Sequence, residues 1–390
     1  MREPLLTGAA PRSETARDLR IRNERRLLFK LREQPAMTRA EIAATLGMTP
    51  MAAGRIASRL LARGLLVEAP LALKGPGRPG STLSLSDDWM GVGIDIRAHQ
   101  STVSCVNPRG QELLRLDAGT PHVGDPQRTI NELVPVVREA IAQGGREVSG
   151  IGVGLAAALD DDYLHVTHSA YLDWHHVPFK KLLGEQLPYP IALKNIAECA
   201  ILANSEQIGP ASYRLLMHVQ IGVGLGIALT QSRDVLNTLA VGGNMGHVFL
   251  GDSRRLCNCG RSGCVDTMVG FSAFSAPGRA HGVSGNWSRM DSTTRQILAD
   301  ARRGESWAVS CIQQLQEDLA RVITVFTTIN GPDRVTLGGY PRMLDDEFFA
   351  GLDEKVSANL RTPSPIVHTD IADRASAIGA GLLGLSLVRA

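Results

Sequence analysis

The sequence contains few aromatic residues, since Phe, Trp and Tyr make up only 4% of its 390 residues. Its cores must therefore be built from Leu, Val, Ile and Ala. A hydrophobic content of 44% against 21% charged residues supports folded domains. No run of about 18 apolar residues occurs, so no membrane-spanning helix and no membrane partner is expected. The first residues also lack the apolar segment of a secretion signal, and we expect a cytoplasmic protein.

Cysteine is scarce as well, with 6 residues in the whole chain. In a reducing cytoplasm these are expected to be free thiols or metal ligands rather than disulfides. The length is too great for one ordinary domain and is sufficient for two or three. The 40 glycines indicate many tight turns after strands, which is typical of α/β folds.

The net charge of +2 conceals an asymmetry along the chain. Residues 1–80 hold 15 basic and 7 acidic residues, a net charge of +8. The remainder holds 26 basic and 32 acidic residues, a net charge of −6. A basic head on an acidic body predicts that the head contacts a polyanion such as nucleic acid. The alternative is a basic tail that is simply solvated.

The head carries the signals of three short helices. Residues 21–33 show the spacing of an amphipathic helix. The capping-box pattern of residues 38–41 predicts the start of a second helix, which ends near Gly47. A third helix is predicted after Thr49, a good N-cap, because Pro50 fits the first helical position, where no amide proton is needed.

Two short helices joined by a tight turn predict a helix-turn-helix whose second helix is the recognition helix. Two strands, 65–73 and 81–86, flank a Gly-Arg-Pro segment and predict a wing that enters a minor groove. The recognition helix is rich in Ala and carries few base-reading side chains, so a three-helix protein-interaction module is the alternative. The predicted DNA contacts are Arg39, Thr49, Met51, Ala52, Arg55, Arg59 and Arg78.

After Asp87 the pattern changes to apolar strands that end in glycines and alternate with helices. Strands are predicted at 90–96, 148–159 and 335–339, and a further apolar segment at 213–229 contains three regularly spaced glycines. Backbone amides at such strand ends can approach phosphate groups. This order of elements predicts an α/β body.

A compact set of metal-ligand residues follows in the second half of the body. His247 precedes three closely spaced cysteines, Cys257, Cys259 and Cys264. Three thiolates and one imidazole suit tetrahedral zinc, and four protein ligands leave no open position, so the zinc would be structural. The alternative is a group of buried cysteines without a metal.

These features together resemble the ROK family (repressor, open reading frame, kinase). Residues 172–179 are similar to the family's Gly-Trp-x-x-x-Pro-Leu segment, and residues 335–339 to its C-terminal nucleotide loop. The cysteine cluster resembles the family's zinc motif, and family repressors carry a similar Gly-Arg-Pro wing. The resemblance implies an α/β fold class, with an N-terminal winged helix-turn-helix followed by a two-lobed actin-like, sugar-kinase fold.

The corresponding domain prediction divides the chain into four parts, and the C-terminal helix is expected to pack back on the first lobe. These parts are a flexible N-terminal arm at 1–20, the winged helix-turn-helix at 21–86, a first lobe at 87–200 and a second lobe with the zinc motif at 201–390.

Two departures from the family pattern argue against phosphoryl transfer. The resemblance places a catalytic Asp after Asn195, but this chain has Ile196, which cannot accept a proton. The family's first phosphate loop reads Asp-x-Gly-Gly-Thr, but in this chain the loop that begins at Asp95 holds bulky Arg97 and His99, where the backbone must approach phosphate. Glu198 is an alternative base only if the chain stays extended there. We therefore expect no catalysis.

The resemblance also implies an effector pocket formed by Asn195, Asn244, His247 and Asp266. Asn244 and Asp266 stand where the family has Glu, and Tyr171 replaces a common Asn. Ala156 and Ala157 replace a Pro-Gly pair. These changes favour a modified carbohydrate, and the alternative is a pocket that has lost its ligand.

The sequence thus predicts a DNA-binding transcriptional regulator, most simply a repressor, that forms a homodimer or homotetramer and contains structural zinc. Its degenerate kinase domain would bind a sugar or sugar derivative as effector. Two rivals remain: an active ATP-dependent sugar kinase with a DNA-binding module, and a regulator controlled by a protein partner.

Overall fold

The computed structural model of the protein describes residues 16–71, 80–231, 239–240, 245–250, 255–371 and 374–388. Arg78, Asn244 and most of the predicted arm at 1–20 lie outside these residues. The chain divides into two compact units between Asp88 and Trp89.

The N-terminal unit consists of three helices and a small antiparallel sheet in the order β1-β3-β2. Leu27, Ile42, Leu60 and Leu83 are fully buried in its core. Helix α1 begins at Ala16, so its first turns extend into the part of the chain predicted as an arm. The elements are α1 (Ala16–Glu33), β1 (Met37–Thr38), α2 (Arg39–Leu46), α3 (Pro50–Ala62), β2 (Leu66–Pro70) and β3 (Ser81–Leu85).

Local capping explains the boundaries of α2 and α3. The Thr38 backbone N–H donates to Glu41 Oε2 at 2.7 Å, which completes the predicted capping box of α2. The helix stops at Gly47, whose φ of 64° is left-handed. Thr49 Oγ1 then accepts from the Ala52 amide at 3.3 Å, and Pro50 opens α3. The tight connection between the two helices thus follows from the sequence.

The first half of the second unit, called the first lobe below, is built on a five-stranded sheet in the order β11-β7-β4-β5-β6. Strands β4, β7 and β11 are parallel, and β4, β5 and β6 form an antiparallel meander. The elements are β4 (Trp89–Ile96), β5 (Ser101–Val106), β6 (Glu112–Asp117), α4 (Pro126–Gly144), β7 (Glu147–Leu155), β8 (Ala158–Leu159), β9 (Val166–Ser169), β10 (Trp174–Val177), α5 (Phe179–Gly184), β11 (Ile191–Asn195) and α6 (Ile196–Ile208).

The second lobe repeats this plan in a sheet ordered β14-β13-β12-β15-β16. Strands β12, β13 and β14 are antiparallel, and β12, β15 and β16 are parallel. The elements are β12 (Leu215–Ile221), β13 (Leu225–Gln231), β14 (Leu239–Ala240), α7 (Asp266–Val269), α8 (Phe271–Ser275), α9 (Met290–Arg302), α10 (Ser306–Asn330), β15 (Arg334–Gly339), α11 (Asp346–Ala358), β16 (Ile366–Val367) and α12 (Ala375–Leu385).

Helix α12 returns to the first lobe and packs backbone to backbone on its sheet. A Cβ atom at Gly93 of β4 would overlap the carbonyl oxygen of Ala377, and one at Gly152 of β7 would overlap that of Ala380. Only glycine permits this approach. The seam fixes the parallel strands whose carboxyl ends form one wall of the cleft described below.

Among the residues that the structure describes, no helix is both long enough and apolar enough to cross a membrane.

Candidate functional site

Helix α3 presents an exposed face on the N-terminal unit. Met51 has 73% of its surface exposed, and Arg55 is exposed without an ion pair to any residue that the structure describes. Ala52, also a predicted contact, is half-buried, and its amide is taken by the Thr49 cap. This face offers one free guanidinium and one exposed thioether to a partner.

Two of the other predicted DNA contacts are engaged within the unit. Arg39 Nη1 lies 2.6 Å from Glu68 Oε1, and the Arg39 guanidinium followed by the Ser81 hydroxyl lowers the pKa of Glu68 to about 2. Arg59 Nε lies 2.9 Å from Glu24 Oε1.

Arg59, a predicted DNA contact, thus also forms an ion pair within the unit. Glu24 is 5% exposed, and an unpaired buried carboxylate is costly, so it draws Arg59 and Arg63 toward α1.

In the second unit, a cleft of about 330 Å³ lies between the two lobes. Its first-lobe wall contains the ends of β4, β7 and β11, and its second-lobe wall contains the β12–β13 turn and the end of β15. Predicted effector residues Asn195, His247 and Asp266 all line it. The sequence-predicted glycine turns at Gly222, Gly224 and Gly339 face the same cavity.

The predicted metal ligands His247, Cys257, Cys259 and Cys264 come together beside the cleft, with one ligand atom from each within 4.8 Å of the others. Cys259 Sγ and Cys264 Sγ are 3.7 Å apart, and His247 Nδ1 lies 3.5 Å from Cys257 Sγ. A zinc tetrahedron with ordinary bond lengths has S···S edges of about 3.8 Å and S···N edges of about 3.6 Å. The donor set therefore fits a four-coordinate divalent ion.

The thiols of this cluster differ in acidity. Burial raises the pKa of Cys257 to about 12 and also raises that of Cys264. Burial opposes ionisation of Cys259 too, but hydrogen bonds from the Arg261 backbone and guanidinium lower its pKa overall.

Asp266 is a buried carboxylate of the cleft wall, with 7% of its surface exposed. Its Oδ1 accepts from the Leu225 amide at 2.8 Å, and its Oδ2 lies 3.6 Å from His247 Nδ1. A Cβ at Gly246 would overlap the carboxylate. Burial raises the pKa of Asp266, although its hydrogen bonds oppose the effect. The carboxylate is thus held rigidly between α7, the β12–β13 turn and the metal cluster.

Tyr171 reaches Asp266 from the opposite lobe. It lies between β9 and β10, and its hydroxyl donates to Asp266 Oδ2 at 2.7 Å. Its ring meets Trp287 edge-on, with centroids 6.2 Å apart. Burial and then the Asp266 charge raise the pKa of Tyr171 well above its usual range. The phenol is therefore neutral and acts as a hydrogen-bond donor.

Asn195 and Glu198 form the capping box of α6. Asn195 Oδ1 accepts from the Ala197 amide at 2.9 Å, and its Nδ2 donates to the Ala157 carbonyl at 2.9 Å. Glu198, which is 1% exposed, accepts from the Asn195 amide at 3.0 Å and pairs with Lys194 at 2.7 Å. Because α6 begins at Ile196, Glu198 is not among the residues that line the cleft. Its carboxylate holds the helix start and is not placed as a base.

In the loop after β4, the bulky residue Arg97 pairs with Asp95. Arg97 Nε lies 2.8 Å from Asp95 Oδ2, and the Ser376 hydroxyl donates to the same oxygen at 2.7 Å. Asp95 is 1% exposed. The charge of Asp95 is thus compensated by the Arg97 guanidinium. Arg97 stands at a position where a phosphate-binding loop would need a small residue to leave room for a nucleotide.

Three contacts in or near the cleft were not foreseen from the sequence. Ser376 gives no local signal because it lies far from Asp95 in the chain. The sequence shows that Tyr171 replaces a smaller residue, but it does not show that the longer side chain reaches Asp266 and donates a hydrogen bond to it. His168 and His175 face each other across the β9–β10 hairpin, with their Nδ1 atoms 3.2 Å apart, and only the strand register reveals that pair.

Two lobes of the same mixed topology, with glycine turns that face a common cleft, define an actin-like α/β body of the sugar-kinase type. The ROK family model matches residues 91–389, and the chain belongs to the ROK family.

Curated relatives include both kinases and regulators. The glucokinase of Thermotoga maritima is 22% identical over 309 residues, which cover 76% of this chain and 96% of that protein. The DNA-binding transcriptional dual regulator NagC of Escherichia coli K12 is 23% identical over 363 residues, which cover 88% of this chain and 87% of that protein.

Solved structures show the same fold. A ROK family transcriptional regulator, a homologue of the E. coli MLC protein, matches with a TM-score of 0.74 and 17% identity, covering 95% of this chain and 96% of its own. A ROK glucokinase from Streptomyces griseus, in complex with glucose and AMPPNP, matches with a TM-score of 0.64 and 19% identity over 75% of this chain and 98% of its own.

Proposed function

We propose that this protein is a DNA-binding transcriptional regulator, acting as a repressor, whose ROK body binds an effector and does not transfer phosphate. The observation that carries the proposal is the pair α2 and α3, joined at Gly47 and followed by the β2–β3 hairpin. This is the element order of a winged helix-turn-helix. The net charge of +8 over residues 1–80 supports a polyanionic partner.

Within this proposal, α3 is the recognition helix. Arg55 and Met51 are the exposed side chains available to bases or phosphates, and Thr49 fixes the helix start. Arg39 and Arg59 act mainly by holding the sheet and α1 in place. The alignment with the solved regulator covers 95% of the chain and thus extends past the body into the N-terminal unit, which supports this reading.

The loss of catalysis is proposed from three groups in or near the cleft. Ile196 has no proton-accepting atom, Glu198 is held in a capping box, and Arg97 covers Asp95. Phosphoryl transfer needs a base and a cradle for the phosphates with their metal ion. The body would then bind a carbohydrate derivative in the cytoplasm and pair two DNA-binding units in a homodimer or homotetramer.

Zinc is proposed as the resident ion of the cluster formed by His247, Cys257, Cys259 and Cys264. It would supply structural cross-linking, because all four positions belong to the protein. Since His247 also lies 3.6 Å from Asp266, the cluster would help to position the carboxylate in the cleft.

The test is an electrophoretic shift assay with fragments of the source genome, performed over a series of salt concentrations. We expect retention of specific fragments, with affinity falling as salt rises. If no fragment is retained at low salt, the proposal is wrong.

The second candidate is an active sugar kinase. It is favoured by the preserved glycine turns at Gly222, Gly224 and Gly339, which line the cleft, and by the glucokinase matches at similar identity. A coupled assay of ADP release over a panel of sugars decides between the two. Sugar-dependent turnover would support the kinase and contradict the argument from Ile196.

A further inference from the structure

The cleft contains a carboxylate, Asp266, that already accepts hydrogen bonds from other residues of the chain. Asp266 is buried, and each of its oxygens has a donor: the Leu225 amide at 2.8 Å on Oδ1 and the Tyr171 hydroxyl at 2.7 Å on Oδ2. A carboxylate that recognises a pair of sugar hydroxyls must have its oxygens available to them. Here Oδ2 still has a lone pair, but the Tyr171 phenol and the backbone of Gly224 crowd the space beside it.

The phenol is fitted closely into this position. A Cβ at Gly224 would lie 2.6 Å from the Tyr171 hydroxyl and 2.7 Å from Asp266 Oδ2, so the β12–β13 turn leaves no spare room around the hydrogen bond. The edge of the Tyr171 ring also meets Trp287, which belongs to the second lobe. Tyr171 therefore enters the second lobe from the first as a packed side chain rather than as a loose one.

From this geometry we propose that Tyr171 determines ligand specificity by filling, with its ring and hydroxyl together, the space from which a neutral sugar's hydroxyl would approach Asp266 Oδ2. The proposal rests on the effector role of the cleft stated above. It goes further because it assigns the exclusion of neutral hexoses to one side chain. Effectors of this protein would be those that bind elsewhere in the cleft and leave the Tyr171–Asp266 pair intact.

The physical reason for exclusion is the loss that entry would cause. A neutral hexose could reach Asp266 Oδ2 only by displacing the phenol, and this would break a short hydrogen bond to an ion and further expose a ring that is now half-buried. The sugar would gain only a hydrogen bond of the same kind. Exchange of one donor for another yields no net affinity, so displacement is unfavourable.

The test compares the full-length, metal-containing wild-type protein with Tyr171→Asn and Tyr171→Phe in calorimetric titrations with glucose and N-acetylglucosamine. Asn shortens the side chain and opens the position, whereas Phe removes only the hydroxyl and keeps the ring in place. We expect Tyr171→Asn to bind one of these sugars at least about tenfold more tightly than wild type, the equivalent of one hydrogen bond to a charged group. Tyr171→Phe should bind no better than wild type.

Several results would overturn the proposal. One is a wild-type affinity for either sugar that equals that of Tyr171→Asn. Another is a correctly folded Tyr171→Asn, judged by metal content and melting temperature, that shows no gain. If that variant does not fold, Tyr171→Ala opens the same space, and the wild-type titration still decides, because submillimolar binding of a neutral hexose by wild type contradicts exclusion. DNA shifts measured on the same samples report separately on the regulator function.

Discussion

Glu24 of α1 forms ion pairs with Arg59 of α3 and with Arg63, the residue that caps the end of α3; Arg59 Nε lies 2.9 Å from Glu24 Oε1. Arg59 is thereby distinguished from Arg55, which lies one turn earlier on α3 and forms no ion pair with the described residues. Two arginines on the same helix thus have different roles, one structural and one available to a ligand.

This difference predicts opposite effects of two alanine substitutions. Arg55→Ala should weaken DNA binding and reduce the salt dependence by about one counterion, with no change in melting temperature. Arg59→Ala should instead destabilise the N-terminal unit by about 1 kcal/mol, a small value because the arginine is partly exposed and the pair is screened. Fluorescence anisotropy with an operator fragment and thermal melting measure the two effects. A loss of stability in Arg55→Ala with unchanged binding would contradict the assignment.

Removal of one metal ligand should release the ion. We expect Cys264→Ser to lower the bound zinc from about one ion per chain and to reduce the melting temperature of the body. Cys311→Ser, at a buried thiol outside the cluster, is the matched control and should retain the metal. Elemental analysis by mass spectrometry measures the content. Equal zinc in both variants would show that Cys264 is not a ligand.

The zinc content should also depend on pH in a defined direction. Burial raises the pKa values of Cys257 and Cys264, and only thiolates bind the metal. Zinc binding must therefore release protons, and its apparent affinity should fall as the pH is lowered. Competition with a chromophoric chelator at several pH values measures this slope.

His218 gives a second pH prediction, independent of the metal. Burial lowers its pKa from 6.5 to about 4, against an opposing hydrogen bond with Gln220. The folded-state pKa is depressed, so the unfolded chain takes up the proton first. The contribution of neutral His218 to the free energy of unfolding is therefore complete above pH 6.5 and is lost as the pH falls toward 4. For this difference in pKa between the unfolded and folded chains, the loss amounts to about 3 kcal/mol.

Urea unfolding of the body at several pH values checks this prediction. His218→Gln should be less stable at neutral pH and should show a weaker loss of stability on acidification than wild type. His176→Asn, at an exposed histidine whose φ of 50° suits Asn, should keep the wild-type pH dependence. A pH slope that is unchanged in His218→Gln would contradict the prediction.

Glu198→Gln separates the structural role from the catalytic one. Loss of the carboxylate leaves Lys194 without its 2.7 Å partner and weakens the cap of α6, so we expect a destabilisation of about 2 kcal/mol. ADP release in the presence of sugars should stay at background in wild type and in the variant. The control is Glu185→Gln, which changes an exposed carboxylate. Sugar-dependent turnover that disappears in Glu198→Gln would favour the kinase.

The elements that the sequence predicted best are those with local causes. The capping box at Thr38 and the Thr49–Pro50 start of α3 lie close to prediction, because each depends on neighbouring residues. The metal ligands also converged, since their spacing limits how the chain can fold around one point. By contrast, the apolar segment at 213–229 forms a hairpin of β12 and β13. Its glycines indicated a turn, but they did not determine which residues of the two strands pair.

Contacts between distant segments could not be obtained in this way. Nothing near Arg59 in the sequence indicates Glu24, and nothing near Asp95 indicates Ser376. The same limit applies to Tyr171, whose substitution for a smaller residue was visible but whose partner lies 95 positions away. Such pairs depend on the packing of helices and lobes, which a periodic pattern does not encode.

The close seam between α12 and the first-lobe sheet has a consequence for biosynthesis. Strands β4 and β7 leave the ribosome long before Ala375–Leu385, yet the surface at Gly93 and Gly152 packs directly against that helix. An apolar surface of the nascent first lobe must therefore remain exposed to solvent while the second lobe is synthesised. We therefore expect the emerging chain to bind chaperones during this delay and the docking of α12 to be a late step in folding.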